Sequence, residues 1–291
     1  MKRKILVIPD CHGRDFWKDA ITHIEEYDKV VFLGDYLDPY GYEGIGFNHA
    51  FGNLEEIIQW KKDYMDKIVL LLGNHDMGYL NKDINTCRRD YTHASQIRKI
   101  FQDNLDLFDM AWETEICGQR FFFSHAGVKK DWLMNHRDFF FYDEDKPLPI
   151  ADLFNNFLHC DEQSQRDTFY AVLGDVSRHR GGYDNIGSMV WSDVNEWVGL
   201  HKTELIEFPG VMFIFGHTQL ESKPIATNYF ADLDVREPFI IGDDGVIYEY
   251  SDSEDLKPIE ITKLQPMTDE IREEIKKKEE ERLKLLSAFF I

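Results

Sequence analysis

The sequence predicts an α/β fold in which short strands covered on both faces are interleaved with amphipathic helices. Three observations predict it. Five unbroken apolar runs recur along the 291 residues, each rich in Val, Ile, Leu or Phe, whereas a strand with one wet face would alternate. Segments with helical spacing of apolar residues lie between those runs. The composition, 43% apolar and 14% aromatic, is that of a globular chain long enough to bury a sizeable core.

The first run, "LVIPDCHGRDFW" (6–17), ends in Asp10 and His12. Alone, an Asp-x-His at the end of a strand is ordinary turn chemistry. The behaviour recurs, however. "VVFLGDYLDPY" (30–40) meets Asp35 and Asp38, and "IVLLLGNHD" (68–76) meets Asn74 and His75. "FFFSHAG" (121–127) meets His125, and "VMFIFGHTQ" (211–219) meets His217. Turn chemistry would have to place metal-binding side chains at five strand tips by coincidence. In open sheets, ligands bind just beyond the carboxyl ends of the strands, so the five tips can converge on one site.

Candidate helices fill the intervals. Residues 14–27 place Phe16, Ile21 and Ile24 near helical spacing, and residues 53–65 and 93–105 do the same. Residues 128–187 read as an insertion capping the site, partly helical from about 150 to 172, with an aromatic cluster at Phe139, Phe140, Phe141 and Tyr142. Such a cluster is more often core than pocket lining. Residues 226–250 read as strands closing the second sheet, with a turn at Asp243–Asp244–Gly245. Residues 267–288 read as a charged helix capped by Thr268 and packed through Ile271, Ile275, Leu283 and Leu286, after which "AFFI" docks on the body or on a partner. The chain is therefore expected to be one catalytic domain, 1–265, with the insertion inside it and a helical tail, 266–291.

The formal net charge is −21. A chain this acidic repels a polyphosphate backbone, which disfavours non-specific nucleic-acid binding and suits a site that gathers divalent cations. The four cysteines, Cys11, Cys87, Cys117 and Cys160, form no C-x-x-C pair, which argues against a structural zinc site. The amino terminus lacks the apolar region and cleavage site of a signal peptide, and no stretch is apolar for the length of a membrane span. A cytoplasmic protein without a membrane association is expected; the oligomeric state stays open.

Taken in order, Asp-x-His-Gly, Gly-Asp-x-x-Asp, Gly-Asn-His-Asp, Ser-His-Ala-Gly and Gly-His-Thr resemble the calcineurin-like metallophosphoesterase family between residues 10 and 219. The resemblance implies a two-layered β-sandwich flanked by helices, with a dinuclear metal centre at the strand ends. It implies that Asp10 and His12 bind the first metal, that Asp35 bridges both, and that Asn74, His125 and His217 bind the second. It also implies that His75 is the catalytic histidine and Asp38 its carboxylate partner. The chemistry is sound on independent grounds. Two cations can hold the attacking and leaving oxygens of a phosphoryl transfer, and a water between them becomes a metal-bridging hydroxide near neutral pH. An imidazole can protonate the departing alkoxide, and a carboxylate beside it orients the ring and favours its charged form. The Asp, Asn and His set suits Mn²⁺, the first candidate, or Fe or Zn²⁺, better than Ca²⁺. Cys11 points away from Asp10 and His12 on an extended chain.

Within the family, "GDYLD" and "MVWSDV" (189–194) resemble the phosphoprotein-phosphatase branch, and Gln219 stands where many phosphodiesterase members have a second histidine. That branch follows the Asp of "GDYLD" with an arginine that grips phosphate. Here Pro39 and Tyr40 follow Asp38, so another cation must serve; Arg14, Arg178 and Arg180 are the candidates, against the alternative that they are solvent-facing loop residues. Asp76 also replaces the usual Glu of that branch. The expected activity is metal-dependent hydrolysis of phosphomonoesters, on a phosphoprotein or a small phosphoester. The alternatives are a dinucleoside polyphosphate hydrolase or phosphodiesterase, and, with less support, a metal-bound scaffold that turns nothing over, for which His75 and Asp38 would have no use.

Overall fold

The computed structural model describes residues 3–81, 84, 86–141, 150–199, 203–204, 208–253, 255–266 and 268–288. In chain order its strands are β1 (Arg3–Ile8), β2 (Lys29–Phe32), β3 (Ile68–Leu71), β4 (Phe108–Asp109), β5 (Ala111–Ile116), β6 (Gln119–Ser124), β7 (Thr203–Glu204), β8 (Val211–Phe215), β9 (Ile225–Ala226), β10 (Phe230–Asp232), β11 (Phe239–Gly242), β12 (Ile247–Glu249) and β13 (Gln265–Pro266). One sheet has the order β12-β11-β1-β2-β3-β4, and a second has the order β5-β6-β8-β10-β9. β7 and β13 pair with each other. The helices are α1 (Lys18–Ile21), α2 (Phe47–Asp63), α3 (Asn74–Leu80), α4 (Ala94–Asp103), α5 (Lys130–Asn135), α6 (Arg137–Phe140), α7 (Ala151–Leu158), α8 (Gln163–Leu173), α9 (Val194–Trp197) and α10 (Asp269–Ala288).

Strand pleating explains the unbroken apolar runs. Ile5, Val7, Val31, Leu33, Val69 and Leu71 of the first sheet share one buried layer with Phe121, Phe123, Met212 and Ile214 of the second. The alternate residues Leu6, Ile8, Val30, Phe32 and Leu70 belong to another buried cluster with Trp17, Ile21, Leu54, Ile57 and Phe101, from the segments flanking the sheet. Each strand is thus apolar on both faces because one meets a sheet and the other meets helices. β1, β2 and β3 run parallel to one another, as do β6, β8 and β10, so the tips within each sheet point the same way. Among the described residues, no helix is long and apolar enough to cross a membrane.

Several expectations change in detail. Residues 14–27 hold only the short α1 and a 3₁₀ turn at Ile24–Glu26. The segment 226–250 divides: β9 and β10 join the second sheet, but β11 and β12 extend the first, because β11 pairs antiparallel with β1. Residues 150–172 form α7 and α8 with a break between them. In the insertion, Phe140 is buried against Trp132 and Phe154, and Phe139 packs on Phe157, so these two belong to a core; Phe141 is exposed. The Thr268 hydroxyl accepts from the Ile271 amide at 3.4 Å at the start of α10, where Ile271 and Ile275 are half-buried. Tyr142, the side chains of Leu283 and Leu286, and the last three residues lie outside the described residues.

Phe123 is fully buried between the sheets, with its ring 5.1 Å from that of Trp112. Phe123→Ala is expected to lower stability by about 3–5 kcal/mol. Denaturant unfolding should show a lower midpoint at unchanged slope.

Candidate metal centre

Three of the five tips, those at His12, at Asp35 and Asp38, and at His217, turn through unusual backbone, whereas Asn74 and His75 open α3. Among the described residues, eight non-glycine residues have positive φ, and five of them are His12 (44°), Asp35 (53°), Asp38 (61°), Arg88 (62°) and His217 (71°). Concentrating left-handed conformations at one place costs energy that the packed strands must supply. Two glycines let the tips approach. A Cβ on Gly73 would lie 2.2 Å from Asp35 Oδ1, and one on Gly216 would lie 2.3 Å from Asp10 Oδ1.

The tips bring Asp10, His12, Asp35, Asn74, His75, His125 and His217 together, all buried. Asp35 lies at the junction. Its Oδ2 is 3.6 Å from both His12 Nε2 and His125 Nε2, and its Oδ1 accepts from the His75 amide at 2.9 Å. Asp10, His12 and Asp35 offer one set of convergent ligand atoms, and Asp35, His125 and His217 offer another. The two sets share Asp35.

The donor chemistry fits cations. His12 Nδ1 is 2.7 Å from the Leu37 carbonyl and His125 Nδ1 is 2.9 Å from the Leu33 carbonyl. A carbonyl only accepts, so each Nδ1 carries the proton and each Nε2 presents a lone pair. His125 Nε2 faces Asn74 Oδ1 at 2.9 Å, with Asp35 Oδ2 close by. Lone pairs facing lone pairs in a buried site call for a positive charge between them. His217 Nε2 is buried with no hydrogen-bond partner among the described residues. Burial holds His12, His125 and His217 well toward their neutral, ligating forms. Burial also pushes Asp35 up to about 8, and burial with the neighbouring Asp234 charge pushes Asp10 up. The chain's own groups leave these carboxylates short of positive charge.

His75 Nδ1 lies 2.7 Å from Asp38 Oδ2, and the Tyr79 hydroxyl donates to Asp38 Oδ1. The pairing is the expected one, but its electrostatics differ. Burial pushes Asp38 up to about 7, and burial with the Arg88 charge pushes His75 down. Desolvation outweighs the attraction that was expected to favour imidazolium, so the pair rests toward its neutral form. Cys11 is buried in the helix-side core with its thiol on the Pro9 carbonyl, away from the cluster.

The three candidate arginines have different surroundings. Arg14 is held by Glu43 through Nε at 2.9 Å and NH2 at 3.2 Å. Arg180 lies at the rim, 3.3 Å from Asp193 and donating to the His217 carbonyl at 3.1 Å. Arg178 is exposed, and among the described residues nothing ties its side chain to the cluster. Trp191 of "MVWSDV" sets its ring edge-to-face with His217, 5.7 Å between centroids.

Sequence reading missed four residues. Arg88 reaches in from the loop after α3, with NH2 3.3 Å from His12 Nε2 and 3.5 Å from His75 Nε2. Asp76 accepts from the amides of Asp35 (2.7 Å), Gly73 (2.9 Å) and Tyr36 (3.2 Å), pinning two tips to each other. Tyr79 fixes Asp38 and accepts from the Asp90 amide. Asp234 is a further buried carboxylate beside Asp10, pushed up to about 6 by burial. Two of them left a signal in the sequence: Asp76 closes the "GNHD" tip, and Asp234 ends the acidic "DLD" that closes an apolar run.

Two sheets packed face to face, with buried carboxylates and neutral imidazoles collected at their strand ends, define a metal-binding hydrolase architecture. Residues 3–220 match the family model described as calcineurin-like phosphoesterase, and the chain belongs to that family. It is a metallophosphoesterase, a hydrolase of phosphoesters. Among solved structures, it is similar to the cold-active protein-tyrosine phosphatase of the psychrophile Shewanella sp. (15% identity, 89% of this chain and 83% of that one, TM-score 0.53). It is also similar to a protein serine/threonine phosphatase from Saccharomyces cerevisiae with similarity to human phosphatase PP5 (13% identity, 87% and 82% coverage, TM-score 0.47). At these identities the likeness to the first is one of fold. No curated protein sequence matches the chain.

Asp76→Asn tests the pin between the tips. An amide keeps one oxygen of the two, so at least one buried N–H would face an NH2 group. Stability should fall by about 1–3 kcal/mol and bound metal should fall with it. Thermal unfolding and metal analysis of the purified variant check both.

Proposed function

We propose that this chain hydrolyses phosphomonoesters in the manner of a serine/threonine phosphoprotein phosphatase. The observation that carries the reading is the His75–Asp38 pair set beside two ligand clusters that share Asp35. In this reading Asp10, His12 and Asp35 hold one divalent cation, and Asp35, Asn74, His125 and His217 hold a second, with Mn²⁺ first and Fe or Zn²⁺ next. Such a pair, when bound, supplies a deprotonated water and positive charge for the phosphoryl oxygens. The rest falls to the chain. Asp38 holds the His75 ring through Nδ1, leaving Nε2 to hand a proton to the departing alkoxide. Asp38 shares its proton with Nδ1 as Nε2 gives up its own, so the pair ends as an oriented ring beside a carboxylate, and Tyr79 keeps Asp38 in place. Residues 1–265 act as the catalytic unit, with 128–187 inserted, and the substrate is a phosphoprotein or a small phosphoester in the cytoplasm.

A second reading has its own observation. Tyr42 is 72% exposed and stacks on Tyr40 at 5.4 Å, beside Arg236 and Arg14. This aromatic face near the centre suits the base of a dinucleoside polyphosphate, a role the core-packed Phe139 and Phe140 cannot fill. Rates on a phosphopeptide, a dinucleoside tetraphosphate and a bis-aryl phosphodiester separate the substrate classes.

Manganese should stimulate hydrolysis of aryl phosphomonoesters, and EDTA should abolish it. Full activity in a chelator-treated, metal-free sample overturns the reading. The roles within the site separate as well. His75→Ala should keep two metals per chain and lose roughly 10²–10⁴ in rate. Asp35→Asn, which neutralises the carboxylate common to both clusters, should lose metal and activity together. Plasma mass spectrometry of the two variants decides; a metal-depleted His75→Ala beside a fully loaded Asp35→Asn would reverse the assignment.

A further inference from the structure

We infer that Arg88 grips the phosphoryl group of the substrate, taking the place of a cation that the chain lacks after Asp38. The inference rests on the phosphomonoesterase reading above and names a residue that reading leaves out.

The position comes first. Arg88 lies 50 residues beyond Asp38 in the chain, yet its Nε donates to the Asp38 carbonyl at 3.1 Å. The guanidinium thus projects from the spot where a residue directly following Asp38 would begin. Its NH2 lies between His12 Nε2 and His75 Nε2, at 3.3 and 3.5 Å. One of those nitrogens belongs to a ligand cluster and the other to the proton carrier, so the guanidinium faces the space between them. Tyr40, one residue beyond the Pro39 that stands where the phosphoprotein-phosphatase branch has its arginine, forms its floor: the guanidinium carbon is 3.7 Å from the ring centroid. Stacking on an aromatic face orients a guanidinium while leaving its in-plane donors open.

Charge comes second. Arg14 and Arg236 both pair with Glu43, and Arg180 pairs with Asp193. Arg88 has no ion pair with a carboxylate among the described residues. Its polar neighbours are a carbonyl, two imidazole nitrogens and the Cys87 sulfur at 3.6 Å. It is half-buried, so a ligand can reach it while most water is excluded. Its charge acts on Asp35, Asp38 and Asp234, but no carboxylate among the described residues is in contact with it, so the half-desolvated guanidinium is free to bind a doubly charged phosphate in a bidentate way.

Backbone is third. Arg88 has φ 62°, a conformation that arginine, unlike glycine, adopts only at a cost. An exposed loop could relax this; here the contacts with the Asp38 carbonyl and the Tyr40 ring offset the cost.

The test reads phosphate binding separately from turnover. Inorganic phosphate is titrated calorimetrically into manganese-loaded wild type, Arg88→Ala, Arg88→Met and Arg88→Lys, with metal content measured on each. With two metals retained, Arg88→Ala and Arg88→Met should weaken phosphate roughly 10- to 100-fold, and Arg88→Lys should restore part of the loss. KM for an aryl phosphomonoester should rise in parallel. Unchanged phosphate affinity in Arg88→Ala and Arg88→Met overturns the inference. So does loss of metal from both variants, because Arg88 would then be a support for the centre, and so does a wild type that binds no phosphate. A wild type that binds phosphate through Arg88 but hydrolyses no ester supports the inference and overturns the phosphatase reading.

Discussion

Asp35 Oδ2 stands 3.6 Å from two imidazole nitrogens that arrive from opposite sheets, His12 from the first and His125 from the second. That one oxygen fixes how the sandwich must close. If the strand before His12 or the one before His125 slipped by one residue against its neighbours in its own sheet, its inward side chains would turn to the other face and the two imidazoles would no longer meet at the carboxylate. The apolar layer between the sheets therefore sets the distance across which the cluster is built. Asp35 can hold its place because Asp76 grips its amide from below, with Gly73 leaving the room.

The energetics of the cluster run against the folded chain until positive charge arrives. Burial raises Asp10, Asp35 and Asp76, and it neutralises the histidines around them. Such a collection costs stability in a metal-free chain and returns it on binding, since anything that binds only the native state stabilises that state. The His75–Asp38 pair sits in the same field. Uncharged, the pair keeps one proton between Asp38 Oδ2 and His75 Nδ1 and another on His75 Nε2, the one that the ring passes on.

Much of this was legible because strand tips are sequence-local. A run such as "IVLLLGNHD" states in nine residues both the strand and what it carries, so Asp10, His12, Asp35, Asn74, His125 and His217 could be named without a structure. The His75–Asp38 pairing came from resemblance and met its partner at 2.7 Å. What stayed hidden depends on contacts between segments far apart in the chain. Arg88 follows a helix tip with no apolar run to announce it, and it reaches the cluster only through its turn at positive φ. Asp76 looked like a mild substitution, but its role lies in three amides contributed by two loops. The partner of β11 was misread for the same reason: "PFIIG" states a strand, but nothing in it says which sheet has an open edge.

That misread strand has a consequence for where the molecule can be divided. The family resemblance covers residues 3–220, yet β10 pairs with β8 and β11 pairs with β1, both from beyond that limit. Cutting the chain where the resemblance stops would strip a neighbour from the strand carrying Asp10 and another from the strand carrying His217. Two long apolar strands would then present open hydrogen-bonding edges, the condition under which sheets pair with other chains. The recognisable motif region and the smallest foldable unit are therefore different lengths of the same polypeptide, and the last strands serve as edge guards for a site to which the loop after β10 lends Asp234.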